Sequence, residues 1–196
     1  SGGLEIIQTN TLGIDQNNLN WLFNTTPNVP TLVSPANASY TNDNTPTLSA
    51  HYSDPDTGDV GTTNYRVSSG TAQNCLDNAN IVSSGASSET ASNSVDTTFT
   101  PSSSIGSDGT YYWCAQNNDG TVQSAWTSMG NFVLDTVNPT TIDNFTNNDT
   151  WVNANQTITL TPTDASPSSG IASTKYCTDT DNTCVVSSGT AYTVPV

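Results

Sequence analysis

Short stretches of alternating hydrophobic and polar residues recur along the chain, and no helical stripe of useful length accompanies them. Residues 46–53 and 156–163 are two such stretches. Their inward positions are Leu48, Ala50 and Tyr52 in the first stretch, and Ile158 and Leu160 in the second. A period of two is typical of antiparallel strands that bury one face. Clusters of Asp, Asn, Pro and Gly between the stretches predict turns, so we expect an all-β chain.

Turn clusters and a proline-rich linker divide the chain into two predicted units. The first unit spans residues 27–136 and the second spans residues 137–196. A weak internal repeat supports the division, because residues 61–66 and 170–176 are similar and each stretch precedes a cysteine-bearing segment. Residues 1–26 are predicted to form an N-terminal extended segment, which is either the end of a preceding module or a donor strand.

The segment 108–115 carries a more specific motif, with Asp, then Tyr-Tyr, then Cys. It resembles the sixth strand of immunoglobulin domains, and this places Tyr112, two residues before Cys114, at the tyrosine corner. Residues 116–126 resemble a fibronectin type III hairpin. The chain thus resembles the tandem immunoglobulin-like or fibronectin-like repeats of bacterial and archaeal cell-surface proteins. The resemblance implies antiparallel immunoglobulin-like β-sandwich modules in tandem, although the cysteine on strand B of antibody domains is absent.

The second unit is too short for a complete module of this kind, which needs about seven strands in ~100 residues. Residues 137–196 would lack the last strands, so that one sheet would stay open and apolar. Two apolar stretches near the N-terminus, residues 4–7 and 19–23, have no module of their own. We expect a strand from another copy to complete the second unit and to build a homopolymer. A fragment cut from a longer tandem chain would have the same ends.

The net charge of the chain excludes some classes of binding partner. The 196 residues include 17 acidic and only 2 basic residues, for a net charge of -15. Nucleic-acid binders need Lys and Arg against the phosphates, so nucleic acid is excluded as a partner, and an anionic membrane surface would repel the chain. No apolar run approaches the ~18 residues of a membrane span, so no membrane insertion is expected. A surface rich in Ser, Thr and Asn is common in secreted β-proteins, which predicts an extracellular or cell-surface location.

Four cysteines in such a chain indicate an oxidising compartment. Three sets of disulfide pairings are open. The division into units favours Cys75–Cys114 and Cys177–Cys184, because each pair then falls within one unit. Each bridge would contribute about 2–4 kcal/mol of stability. A zinc site is disfavoured because the close cysteine spacing that it needs is absent.

One turn carries three carboxylates, Asp54, Asp56 and Asp59, around Gly58. Carboxylate oxygens at near-alternate positions suit calcium, so this turn is the candidate calcium site. The alternative is that the carboxylates accept hydrogen bonds from backbone amides of the turn. The spacing of an EF-hand is absent, and no other cofactor is expected.

Catalysis is not expected, because the lone histidine, His51, lies on the polar face of a predicted strand with no nucleophile close to it in sequence. We therefore expect a chain that is not an enzyme. Sequons for N-glycosylation begin at Asn24, Asn37, Asn144, Asn148 and Asn155. In an organism that glycosylates asparagine these residues are surface sites.

The expected function is structural: a module of a cell-surface protein or filament that assembles by strand exchange or tandem stacking. The alternative is an adhesin or a carbohydrate-binding module, in which Trp113, Trp126 and Trp151 form a surface that stacks against sugars. The competing expectation, which we favour, is that these three side chains fill the module cores.

Overall fold

The structure, a computed structural model, describes residues 6–8, 21–87, 91–92, 94–127, 130–146, 151–181 and 183–193. The chain divides into two compact units, Ser1–Leu134 and Asp135–Val196. The strands of the first unit are β1 (Ile6–Gln8), β2 (Trp21–Phe23), β3 (Thr31–Ser34), β4 (Ser39–Thr41), β5 (Leu48–Tyr52), β6 (Val60–Ser69), β7 (Ile81–Ala86), β8 (Ala91–Ser92), β9 (Val95–Phe99), β10 (Gly109–Asn118) and β11 (Gly130–Leu134). The strands of the second unit are β12 (Thr140–Asp143), β13 (Leu160–Thr163), β14 (Lys175–Tyr176) and β15 (Thr190–Ala191). A short helix α1 (Ala72–Leu76) and a 3-10 turn (Val186–Ser188) complete the regular structure of the described residues.

Two sheets form the body of the first unit. One has the strand order β3-β5-β9, and the other has the order β4-β11-β10-β6-β7, with β8 paired to β6. These pairs are antiparallel apart from β11 with β4, which is parallel. Among the described strands, β1 and β2 pair only with each other. The prediction of an all-β chain is confirmed.

Side chains from both sheets fill one core. The alternation along β5 is as predicted, with Leu48, Ala50 and Tyr52 fully buried. The core cluster consists of Leu48, Ala50, Tyr65, Val67, Ile105, Tyr111, Trp113, Ala115, Phe132 and Leu134. Removing a large side chain of this kind from water stabilises the fold by about 1.5–3 kcal/mol. The two sheets are therefore held together mainly by the apolar faces that their period-two patterns create.

A buried tyrosine also joins the two sheets by hydrogen bonds. The hydroxyl of Tyr65, on β6, donates to the carbonyl of Thr97 at 2.7 Å. The same hydroxyl oxygen accepts a bond of 3.1 Å from the backbone amide of Ala50. Because β5 and β9 belong to the opposite sheet, this side chain bonds across the core as well as packing in it.

The tyrosine that anchors the start of β10 is Tyr111, so the prediction for Tyr112 is wrong by one position. Tyr111 is buried, and its hydroxyl donates to the carbonyl of Ser107 at 2.7 Å. Successive side chains of a strand point to opposite faces, so Tyr111 and Trp113 face the core while Tyr112 faces away from it.

The disulfide between Cys75 and Cys114 lies on the outer face of the larger sheet. Cys75 is the buried residue of α1, and this helix packs against β6 and β10. Cys114 follows Trp113 on β10 and so points away from the core. The disulfide holds α1 against the sheet. Its two cysteines, Cys75 and Cys114, are a pair that the division into units predicts.

The second unit has paired strands and little buried surface. β12 pairs with β13, β14 pairs with β15, and a disulfide joins Cys177 to Cys184. Among its described residues, only Asp135 is buried. The strand predicted over residues 156–163 forms only from Leu160 onward, and Ile158 is 44% exposed, so its inward placement is wrong. The physical reason is that no described element covers this face.

No helix among the described residues has the length and apolar character that a membrane crossing requires.

Candidate functional site

Two turns at one end of the first unit bring three carboxylates together. The turn between β5 and β6 supplies Asp54 and Asp59, and the turn after β10 supplies Asp119. One oxygen from each of the three carboxylates lies within 4.8 Å of the other two. Asp54 is buried, and Asp59 and Asp119 are half-buried. Oxygen ligands at this spacing match the chemistry of a hard divalent cation.

Asp56, the third residue of the predicted calcium set, lies outside the cluster, and calcium binding by the set stays a prediction. Its carboxylate accepts hydrogen bonds from the backbone amide of Thr25 at 2.5 Å and from the Thr25 hydroxyl at 3.0 Å. Asp56 thus attaches the segment that precedes β3 to the turn, and its carboxylate bonds outside the turn and not to the turn's own amides.

Asp119 takes the third place, and reasoning from the sequence missed it. The residue lies within the stretch 116–126 that resembles a fibronectin type III hairpin, far along the chain from Asp54. The antiparallel register of β6 with β10, which sets Thr62 opposite Asn118, brings the two turns to the same end of the sheet. The sequence indicates this contact only when the turns of neighbouring strands are considered together.

Local backbone amides position the carboxylates. The amide of Asp56 donates to Asp54 Oδ1 at 2.8 Å, and the amides of Thr121 and Val122 donate to Asp119 Oδ1 at 2.6 Å each. The side-chain amide of Asn24 donates to Asp119 Oδ2 at 3.1 Å. The carboxylates of Asp54 and Asp119 are thus oriented by backbone amides of their own turns.

The electrostatics of the cluster reflect burial beside like charges. Burial raises the pKa of Asp54, and the neighbouring carboxylates Asp56, Asp59 and Asp119 add to that rise while the bond from the Asp56 amide opposes it. Burial, followed by the charges of Asp54, Asp119 and Asp59, raises the pKa of Tyr52 to about 12. The Tyr52 hydroxyl is therefore protonated at neutral pH.

The basic residues of the chain are engaged elsewhere. The two are Arg66 and Lys175. The Arg66 guanidinium lies 3.9 Å from the centre of the Trp126 ring and donates to the Cys75 carbonyl at 3.4 Å. Lys175 belongs to the second unit, where its Nζ donates to the carbonyl of Ser187 at 2.9 Å. No side-chain cation of the first unit is thus left to balance the acidic cluster.

A second feature is an open groove in the second unit. It has a volume of about 610 Å³, and its apolar lining comes from Ile158, Leu160, Tyr176 and Tyr192. Tyr176 and Tyr192 meet edge to face, with ring centroids 6.5 Å apart. These side chains are the ones that a covering strand or sheet would bury.

The remaining predicted residues are scattered. His51 Nδ1 lies 2.7 Å from Asp96 Oδ1 across the exposed face of β5 and β9. Trp113 is buried as expected, Trp126 is half-buried under Arg66, and Trp151 is wholly exposed, so the expected burial of Trp151 is wrong.

The predicted sequons also differ in their surroundings. Asn24 and Asn144 donate through their side-chain amides, to Asp119 Oδ2 and to the Thr157 carbonyl respectively. Asn37 and Asn155 are exposed, and Asn148 lies outside the described residues. Whether any of them is glycosylated stays a prediction.

Comparison of the chain with protein-family models, with curated proteins and with solved structures finds no match.

Proposed function

We propose that this chain is a non-enzymatic structural part of an extracellular cell-surface protein or filament, built from immunoglobulin-like modules in tandem. The strand orders of the first unit support the immunoglobulin-like assignment. In that fold the first, second and fifth strands share one sheet, and the third, sixth and seventh share the other. The groupings β3-β5-β9 and β11-β10-β6 correspond to these sets when the short strands are set aside.

An oxidising location outside the cell is supported by the two disulfides, each within one unit. It is also supported by a surface whose solubility depends on hydroxyl and amide side chains, since charged residues make up only 10% of the chain. These features favour a secreted module that holds shape over a cytosolic protein.

The open groove of the second unit, with its uncovered apolar side chains, is the observation that carries the proposed mode of assembly. Ile158, Leu160, Tyr176 and Tyr192 line it, yet none of them is buried. Covering them would add hydrophobic stabilisation of about 25 cal/mol for each Å² removed from water. We propose that a strand of a second copy, taken from the N-terminal pair β1 and β2, covers this groove. These two strands join no other described sheet, so their outer edges are suited to pair with a new strand.

A matched pair of substitutions tests this mode of assembly. Leu160→Asp places a charge in the groove, whereas Thr161→Asp places the same charge on the outer face of the same strand. Sedimentation velocity over a range of concentrations should show that Leu160→Asp abolishes association and that Thr161→Asp associates as the parent does. Deleting residues 1–23 should match the effect of Leu160→Asp. A parent chain that stays monomeric throughout contradicts the proposal.

A carbohydrate-binding or adhesive role is the second candidate, and one observation favours it. The Trp151 side chain is 100% exposed, and a flat exposed indole suits stacking against a sugar ring. A glycan array with the parent chain and with Trp151→Ala separates the roles. Selective binding that Trp151→Ala loses would favour the adhesin, and flat signals from both would favour the structural module.

A further inference from the structure

A buried tyrosine hydroxyl faces the acidic cluster at the end of the first unit. Tyr52 is 0% exposed, and its hydroxyl has no hydrogen-bond partner among the described residues. The hydroxyl oxygen lies close to the turn that carries Asp119, because a carbon atom added to Gly61 would be within 2.5 Å of both this oxygen and the carbonyl oxygen of Asn118. A buried hydroxyl without a partner destabilises a fold, so a fold retains one where a ligand or water bonds to it.

Gly61 lets two oxygen atoms approach its backbone closely. A Cβ at residue 61 would lie 2.5 Å from the Tyr52 hydroxyl oxygen and 2.3 Å from the Asn118 carbonyl oxygen, and both distances are too short for a carbon atom. The Asn118 carbonyl immediately precedes Asp119 in the chain. Only glycine at residue 61 therefore allows the Tyr52 hydroxyl and this carbonyl to lie so close to the same point of the backbone.

We propose that Asp54, Asp59 and Asp119 bind one divalent cation, with calcium preferred, and that the Tyr52 hydroxyl contacts the cation or a water bound to it. Two independent observations carry the proposal: three carboxylates whose oxygens converge within 4.8 Å, and a buried hydroxyl near their turns that has no partner among the described residues. Calcium accepts six to eight oxygen ligands in flexible geometry, whereas magnesium requires a near-octahedral set. Carboxylates from two separate turns suit the larger ion.

A cation at this position would connect three segments of the first unit. Asp54 and Asp59 belong to one turn and Asp119 to another, and Asn24 already bonds to Asp119. The entering segment is further attached where the amide of Asn28 donates to the Ser53 carbonyl at 3.0 Å. The site would therefore hold the segment that leads into β3 against the end of the sheet.

The test uses the full chain after removal of metal with a chelator, with calcium chloride and magnesium chloride as the probes. Calorimetric titration should give a calcium Kd of about 0.1–1 mM, the range of extracellular calcium modules, and weaker binding of magnesium. Calcium at tenfold its Kd should raise the Tm by about 3–5 °C. No heat and no change in Tm at that concentration would overturn the proposal.

A matched pair of substitutions in one turn locates the site. Asp59→Asn removes a carboxylate of the cluster and should weaken calcium binding at least tenfold. Asp56→Asn removes the same charge from the same turn but no oxygen of the cluster, so it should weaken binding only through the lost attraction of a neighbouring charge, by no more than about threefold. Equal losses from the two variants would mean that calcium only screens an acidic surface, and would overturn the site.

Tyr52→Phe supplies a measurement that does not depend on the carboxylates. Without metal, removing a hydroxyl that has no partner should leave the Tm unchanged or higher, and calcium affinity should fall several-fold. A lower Tm without metal, together with unchanged calcium affinity, would show that the hydroxyl has a structural role and would overturn its place in the site. Leu160→Asp should bind calcium as the parent does, so a failure of the proposed assembly would not alter this result.

Discussion

At the scale of single residues, two buried tyrosines of the first unit show opposite ways of handling a polar group in a core. The Tyr65 hydroxyl bonds to the carbonyl of Thr97 and to the amide of Ala50. The Tyr52 hydroxyl has no partner among the described residues and faces carboxylates. Burying a hydroxyl is tolerated when its bonds to water are replaced. The Tyr65 hydroxyl therefore stabilises the fold, whereas the proposed cation would account for the burial of the Tyr52 hydroxyl.

Replacing Tyr65 by Phe should destabilise the first unit by about 1–3 kcal/mol, because Thr97 and Ala50 each lose a buried partner. Urea denaturation measures the change in the free energy of unfolding. Tyr112→Phe, which removes the same atom from the face of β10 that points away from the core, is the control and should stay within about 0.5 kcal/mol of the parent. Equal effects from the two variants would show that the bonds across the core contribute nothing measurable.

At the scale of elements, the short helix α1 is held in place mainly by its bond to the sheet. A helix of 5 residues has little stability of its own, since isolated helices below about 12–15 residues are marginal in water. The disulfide from Cys75 to Cys114 fixes it against β6 and β10. The disulfide bond, more than the stability of the helix itself, therefore keeps α1 in position.

Removing this bridge with Cys75→Ser and Cys114→Ser should reduce stability by about 3–4 kcal/mol, given the 39-residue separation of the two cysteines. Removing Cys177–Cys184, with a separation of 7 residues, should reduce it by only about 2–3 kcal/mol because the closed loop is shorter. Differential scanning calorimetry of the two double variants compares them. A larger loss from the shorter loop would contradict the loop-entropy explanation.

The same elements show what could be predicted from the sequence. β5 was predictable because its alternation of buried and exposed residues is local and complete. The strand before Leu160 was not, because alternation creates an apolar face without saying whether another sheet covers it. The sequence motif indicated Tyr112 in place of Tyr111 because a motif does not determine which side chains of a strand face the core. Asp119 was missed because strand pairing, which depends on residues far apart in the chain, brings it to Asp54.

At the scale of the whole molecule, the charge of -15 opposes any association of copies. Chains of the same sign repel over about one Debye length, which falls from ~30 Å at 0.01 M salt to ~8 Å at 0.15 M. The proposed contact through the groove of the second unit is apolar, and salt does not screen it. Ionic strength should therefore affect assembly only by screening the repulsion between the negatively charged copies.

Raising the sodium chloride concentration from about 0.01 M to about 0.15 M should strengthen association of the parent chain at constant pH. Analytical ultracentrifugation in a salt series measures this effect, and Leu160→Asp should stay monomeric throughout the series. Copies that separate as salt is raised would show that opposite charges, and not the apolar groove, hold them together.

The bond from Cys75 to Cys114 has a mechanical consequence for a module that bears load. Tension along the chain passes directly from one cysteine to the other, so the stretch between them is shielded from the force. With a separation of 39 residues and about 3.3–3.6 Å per extended residue, the first unit would release ~130 Å less length on being pulled open than its residue count implies. An oxidised module of this kind limits how far a surface fibre lengthens when one of its links gives way.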